Sequence, residues 1–108
     1  MLEKLYSFSI DDEKHIEKII DDDPVLINHM VLPKGEGLAE HYSNSNVYMI
    51  IVRGAMTLKL NEQEPQLYTG GRIVRIPYKT KMNVNNYDDA VLEFFVVKAP
   101  NPRHYKED

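Results

Sequence analysis

The chain has 108 residues and a mass of 12.6 kDa, which is the size of one domain. Apolar residues make up 43% of it and charged residues 28%, a globular composition that excludes wholesale disorder. A net charge of −4 disfavours a phosphate-binding surface, so nucleic acid is not an expected partner. Because there is no cysteine, disulfides, a catalytic thiol and a thiolate metal site are excluded.

No segment of the chain has the pattern of a membrane span or a secretory signal. The longest apolar run, residues 47–52, is far shorter than the roughly 20 residues that a spanning helix requires. The first residues, Met1 to Lys4, do not open into the apolar stretch of a signal peptide. We therefore expect a cytoplasmic protein without a membrane partner.

Residues 1–23 carry eight of the 17 acidic residues and differ in pattern from the rest of the chain. Alternation over residues 3–8 predicts a short strand. Apolar residues then recur at helical spacing between Asp11, a suitable N-cap, and Pro24, which disfavours a helical conformation of the residue before it. The sequence thus predicts a strand and a short helix over residues 1–23, as part of the same domain.

From Pro24 onward, short apolar segments alternate with turn residues about every 8–12 residues, a pattern typical of β-sandwiches and barrels. The eight predicted strands are residues 24–32, 38–43, 47–53, 55–61, 66–69, 72–76, 82–85 and 90–97. We expect a barrel over residues 24–100 and a polar C-terminal tail over residues 101–108. The fold class is all-β, and periodicity alone does not choose among barrels and sandwiches.

Two spaced patterns resemble the motifs of the cupin superfamily. Gly35, five residues, His41 and then Gly54 thirteen positions on are similar to the first motif. Gly71, five residues, Pro77 and then Asn86 nine positions on are similar to the second. Both motifs and the segment between them cover about half the chain, and small bacterial and archaeal single-domain cupins, most without an assigned activity, show this likeness. The resemblance implies a jelly-roll barrel, the double-stranded β-helix.

Three of the four metal-ligand positions of the family differ in this chain. In cupins, two His and a Glu of the first motif and a His of the second usually bind a divalent metal. Here His41 is retained, whereas Ser43, Val47 and Met82 stand at the other three positions. A catalytic zinc or iron normally needs three protein ligands. The resemblance therefore implies a pocket around His41, Ser43 and Met82, and a divalent metal is the less favoured alternative.

The position of His29 depends on a register that the sequence leaves open. If the strand before the turn at residues 33–37 pairs with the strand after it, one register places His29 opposite His41 on the same face. A slip by one residue turns His29 to the other face, and Asn28 then takes the pocket side. Tyr48 is a further candidate for the pocket because its phenol offers a flat ring and one hydrogen bond.

We carry three functional hypotheses, and none assigns a catalytic residue. The favoured one is a protein that binds a small organic molecule in the barrel mouth without a standard metal centre. The second is a metal-dependent isomerase- or oxygenase-type enzyme with a rearranged site that uses His41 and His29 or a tyrosine. The third is a structural or regulatory module whose pocket is filled by Met30, Met49 and Met82.

The resemblance also implies a homodimer. Cupins commonly dimerise through strand or sheet contacts. The alternating segment at residues 3–8 is the predicted contact strand.

Overall fold

A computed structural model describes residues 2–105, and it consists of nine β-strands in two antiparallel sheets. The strands are β1 (His15–Asp22), β2 (Val25–Leu32), β3 (Gly37–Tyr42), β4 (Val47–Arg53), β5 (Ala55–Leu60), β6 (Gln66–Thr69), β7 (Ile73–Ile76), β8 (Lys81–Asn85) and β9 (Leu92–Lys98). A 3₁₀ helix, Pro102–Tyr105, follows. Over residues 2–105, no helix combines the length and the apolar character needed to cross a membrane.

The two sheets have the strand orders β1-β2-β9-β4-β7 and β3-β8-β5-β6. The turn after β2 carries the chain from the five-stranded sheet to the four-stranded sheet, because Gly35, at a φ of +82°, donates its N–H to the Asn86 carbonyl at 2.8 Å. As a result β3 pairs with β8, while β2 lies between β1 and β9. The expected pairing of the strands that flank this turn is therefore wrong.

The core lies between the sheets and is built by alternation along the strands. In β4, for example, Val47, Met49 and Ile51 are buried while Val52 is exposed. Each fully buried side chain of this kind contributes about 1.5–3 kcal/mol. The buried core residues are Met30, Leu32, Val47, Met49, Ile51, Met56, Leu58, Ile76, Met82, Val84, Leu92, Phe94 and Val96.

The predicted N-terminal helix is wrong, since residues 15–22 form strand β1. The register between β1 and β2 shifts between Lys18 and Ile20, which marks a β-bulge. A bulge adds one residue to the alternation of a strand. Isoleucines at positions 16, 19 and 20 therefore copy the spacing of a helix face, although their β-branched side chains favour a strand.

Residues 2–14, here called the N-terminal arm, lie on the outer face of the five-stranded sheet and join no strand ladder. The strand predicted at residues 3–8 is thus absent from this part of the described chain. Phe8 packs edge-on against Phe95 with ring centroids 4.9 Å apart, and Lys14 forms a 2.9 Å salt bridge with Glu36. Side-chain contacts therefore hold the arm to the sheet.

Two of the motif residues serve as scaffold. Gly54 has a φ of +87°, and a Cβ atom there would lie 2.3 Å from the Val91 carbonyl oxygen. Asn86 is fully buried, and its side-chain N–H groups donate to the carbonyls of Leu32 at 2.8 Å and Ala90 at 2.9 Å. Gly54 thus fixes the turn between β4 and β5, and Asn86 ties the end of β8 to the end of β2.

Candidate functional site

A small cavity opens between the two sheets at the end of the barrel where the motif residue His41 lies. Its volume of about 40 Å³ accommodates only about three water-sized groups. The lining comes from β2, β3, β4, β8 and β9 and from the loop before β4. The lining residues are Asn28, Met30, Leu38, His41, Ser43, Asn44, Val47, Met49, Met82, Val96 and Lys98.

His41 is at the exposed rim of this cavity, opposite Met82 on β8. Its Nδ1 lies 2.9 Å from the carbonyl oxygen of Ala39. Since a carbonyl only accepts, Nδ1–H is the donor and Nε2 is left to meet a ligand. The ring is therefore oriented by its own strand.

Ser43 lines the cavity, but its hydroxyl is committed to the backbone. The Oγ atom donates to the Pro77 carbonyl at 2.6 Å and accepts from the Thr80 N–H at 2.8 Å. Met82, on the neighbouring strand β8, also lines the cavity and is almost fully buried. Ser43 thus ties the loop between β7 and β8 to the cavity wall, and Met82 narrows the space.

Lys98 is a cavity residue that the sequence analysis missed. It follows Phe94 and Val96 on the inward-facing positions of β9, so the alternation of that strand carried the signal. Burial, with the charge of Lys18 adding to it, lowers the pKa of the Lys98 ammonium group. Among residues 2–105 no carboxylate forms a salt bridge with it. Asn28, on β2, is the neighbouring polar group inside the cavity.

Tyr48 and His29 lie outside the cavity, on the outer face of the five-stranded sheet. Tyr48 alternates with the inward-facing Val47 and Met49, and the Arg75 guanidinium carbon lies 5.8 Å from its ring centroid. His29 alternates with Asn28 and points away from His41. The alternative in which His29 shares a site with His41 is therefore wrong, because the neighbours of His29 on β2, Asn28 and Met30, line the cavity while His29 faces the opposite side of the sheet.

His29 is instead the centre of a buried polar network. Its Nδ1 lies 2.9 Å from Oε2 of Glu17, and its Nε2 lies 2.7 Å from Oε2 of Glu93. Arg53 donates from Nε to Oε1 of Glu93 at 2.8 Å. The ring is fully buried and packs against Phe8 of the N-terminal arm, with centroids 4.7 Å apart.

Both carboxylates of the network are held in the charged form. Hydrogen bonds from Ser9 and His29 lower the pKa of Glu17 to about 2. Burial alone would raise the pKa of Glu93, but hydrogen bonds from His29 and Arg53 outweigh it and the net shift is downward. The network is therefore a set of fixed charges beneath the arm.

The cavity residues do not fit the metal centre usual for cupins. Its lining contains no carboxylate and only one imidazole, whereas such a centre needs three N, O or S ligands. A separate group with metal-binding side chains lies on the outer surface. There, ligand atoms of Asp11, Glu13 and His15 all fall within 4.8 Å of one another. The cupin fold can hold a metal. The group formed by Asp11, Glu13 and His15, however, does not lie at the ligand positions that cupins usually use.

Comparisons with known proteins agree with this architecture. No protein-family model matches the chain. An uncharacterised protein of Methanocaldococcus jannaschii is 50% identical over 104 residues, which are 95% of this chain and 90% of that protein. The crystal structure of an RmlC-like cupin family protein with a double-stranded β-helix fold, from the same organism, has a TM-score of 0.93 at 50% identity and covers 96% of both chains.

More distant cupins share the fold alone. A cupin superfamily protein of Desulfitobacterium hafniense is 11% identical with a TM-score of 0.72, over 86% of this chain and 83% of its own. A cupin domain of Bordetella pertussis is 18% identical with a TM-score of 0.70, over 85% and 98%. The two sheets and the motif turns define a double-stranded β-helix. The chain belongs to the RmlC-like cupin family, and its 50% identical relative is an uncharacterised member.

Proposed function

We propose that this cupin binds a small organic anion, whose carboxylate group enters the barrel mouth and meets Lys98. The observation that carries the proposal is the half-buried Lys98 ammonium group, which forms no salt bridge with a carboxylate of residues 2–105. A cation in such a place is costly unless an anion pairs with it. A ligand carboxylate would supply that pair as a charge-assisted hydrogen bond.

The other polar groups of the cavity support the same ligand class. Asn28 and Asn44 offer amide N–H donors, and His41 presents Nε2 at the rim. No carboxylate lines the cavity to repel an anion. Because a volume of about 40 Å³ takes only a few heavy atoms, the carboxylate group fits inside while the rest of the ligand extends through the mouth.

Titration calorimetry with acetate, pyruvate and the neutral isostere acetamide tests this proposal. We expect the two acids to bind and acetamide not to, and Lys98→Met to lower the affinity at least about tenfold. Lys59→Met, a lysine change on β5 away from the cavity, is the matched control and should leave the affinity unchanged. Equal binding of acetate and acetamide, or full affinity in Lys98→Met, would contradict the proposal.

A structural module with a filled cavity is the second candidate, and the three methionines favour it. Met30, Met49 and Met82 are buried and leave little space between the sheets. Methionine adapts its shape and commonly fills gaps in a core. This candidate predicts no saturable binding of any of the acids and no change in stability in their presence, whereas the favoured proposal predicts both.

Binding of the anion in this cavity needs no divalent metal under this proposal. Mass spectrometry of protein purified without chelator or nickel resin, compared with His41→Ala, measures whether the cavity holds one. Near-stoichiometric metal that is lost in His41→Ala would instead favour the metal-dependent isomerase- or oxygenase-type alternative. In that case the missing ligands would have to come from residues other than His29, which faces away.

We also propose that two copies associate through the outer face of the five-stranded sheet. Leu2, Leu5 and Ile10 of the arm are almost fully exposed. On the same face Tyr6 and Phe8 border an apolar cavity of about 310 Å³. In a twofold dimer, the exposed apolar side chains of the arm of one copy can fill the apolar cavity of the other copy. Light scattering should give the mass of a dimer, and Leu5→Lys should weaken it; a monomer at all concentrations would contradict this.

We propose that the protein is cytoplasmic, a location compatible with a chain that has no cysteine. Fractionation of the source cells tests this placement.

A further inference from the structure

The buried network around His29 connects the N-terminal arm to the sheet. On the arm side, Ser9 donates its backbone N–H to Oε2 of Glu17 at 3.2 Å, and its hydroxyl donates to Oε1 of the same carboxylate. Asp12 accepts from Nη1 of Arg53 at 2.7 Å. On the sheet side, Glu17 and Arg53 both reach His29, the first directly and the second through Glu93. The arm is thus bonded to the same charges that surround the histidine.

The geometry requires His29 to carry a proton on both ring nitrogens. Each nitrogen lies within 3 Å of a carboxylate oxygen, at 2.9 Å for Nδ1 and 2.7 Å for Nε2. An ionised carboxylate only accepts hydrogen bonds, and a neutral imidazole has a single N–H. A neutral ring would therefore set a lone pair against one of the two carboxylates. Only the imidazolium form satisfies both contacts.

The charged groups that face His29 come from every element packed around it. Strand β1 supplies Glu17, with His15 Nδ1 3.7 Å from the other oxygen of that carboxylate. Strand β9 supplies Glu93, and β4 supplies Arg53 behind it. The arm supplies Asp12, paired with Arg53, and the uncharged ring of Phe8.

The network carries its smallest excess of negative charge while the histidine is protonated. With His29 charged, two cations face the three carboxylates of Glu17, Glu93 and Asp12. After loss of the proton, Arg53 alone faces them. Glu17, which is half-buried and to which the Ser9 segment of the arm is bonded, would then lose a hydrogen-bond donor.

We propose that protonated His29 latches the N-terminal arm onto the five-stranded sheet, and that loss of this proton releases the arm. The latch also controls an apolar surface, since Tyr6 and Phe8 of the arm form one wall of the 310 Å³ cavity whose floor includes Ile27 and Phe95. Release of the arm opens that floor to solvent. The fold thus contains a pH-sensitive switch on the face opposite the barrel cavity.

Hydrogen exchange of the full chain, followed by mass spectrometry between about pH 6 and about pH 9.5, tests the latch. After correction for the intrinsic rates, we expect protection of the arm to fall about tenfold or more across this range, the effect of losing one charge-assisted hydrogen bond. In His29→Gln the arm should be less protected at the lower pH and should lose its pH dependence. His41→Gln, on the other side of the molecule, is the matched control that should retain it.

A measurement on the unmodified chain keeps the proposal testable if His29→Gln does not fold. The ¹⁵N resonances of the His29 ring should show both nitrogens protonated over the pH range in which the arm is protected. A neutral ring in that range would overturn the proposal. So would arm protection that is constant with pH, or pH dependence that persists in His29→Gln.

Discussion

Replacing Asn86 by alanine should cost more than any other single polar substitution in the motif turns. The Asn86 side chain donates to the Leu32 and Ala90 carbonyls and accepts the backbone N–H of Asp88 at 2.9 Å. Each bond contributes about 1 kcal/mol net, and leaving the buried Leu32 carbonyl without this donor adds to the loss. We expect a decrease in the free energy of unfolding of about 3–4 kcal/mol. Small domains have only about 5–15 kcal/mol in total.

Urea unfolding monitored by circular dichroism measures this loss. The midpoint should fall while the slope stays constant, and the melting temperature should drop by about 10–20 °C. Asn83→Ala is the matched control: Asn83 is only half-buried, and its side chain makes one 3.2 Å bond to Glu40. We expect about 0.5 kcal/mol or less there. Similar losses in the two variants, or less than about 1 kcal/mol in Asn86→Ala, would refute the reasoning.

Two further predictions concern a turn and an acid-dependent bond. Gly54→Ala puts a Cβ atom 2.3 Å from the Val91 carbonyl oxygen, so urea unfolding should show a loss of about 3 kcal/mol or more; Gly71→Ala, at a φ of +91° but in open space, should lose only about 1 kcal/mol. Because the folded-state pKa of Glu17 is lowered from 4.5 to about 2, its contribution to stability is present above about pH 4.5 and is lost as pH falls towards about 2. In Glu17→Gln, the free energy of unfolding should therefore fall less steeply as the pH decreases below about 4.5. An unchanged pH dependence in this range would contradict the prediction.

The fold could be predicted from a few residues because their roles are local. Glycines at positions 35, 54 and 71 all adopt positive φ, which other residues rarely do. Their spacing therefore reports on turns, and turns of this spacing occur in the cupin barrel. The N-terminal helix was wrong for an equally local reason, since the bulge in β1 produces helical spacing in an extended strand.

The candidate site could be predicted only in part, because the face of each strand depends on pairing between distant segments. Alternation alone separates Asn28 from His29, but the sheet topology decides which of them meets the cavity. The same holds for β9, where Lys98 faces inward and Glu93 faces the buried network. The sequence predicts Tyr48 in the pocket because its ring can form a hydrogen bond. In the structure Tyr48 faces outward, because it alternates along β4 with the inward-facing Val47 and Met49.

The bond between Asn86 and Leu32 also bears on how fast the chain folds. The two residues are 54 positions apart in sequence, and strands β3 to β8 lie between them. Such a contact forms only after a long loop has closed, which is slow in β-rich topologies. A bond made after the rate-limiting step stabilises the native state without stabilising the transition state. Asn86 should therefore retard unfolding more than it speeds folding, and so set the lifetime of the closed barrel.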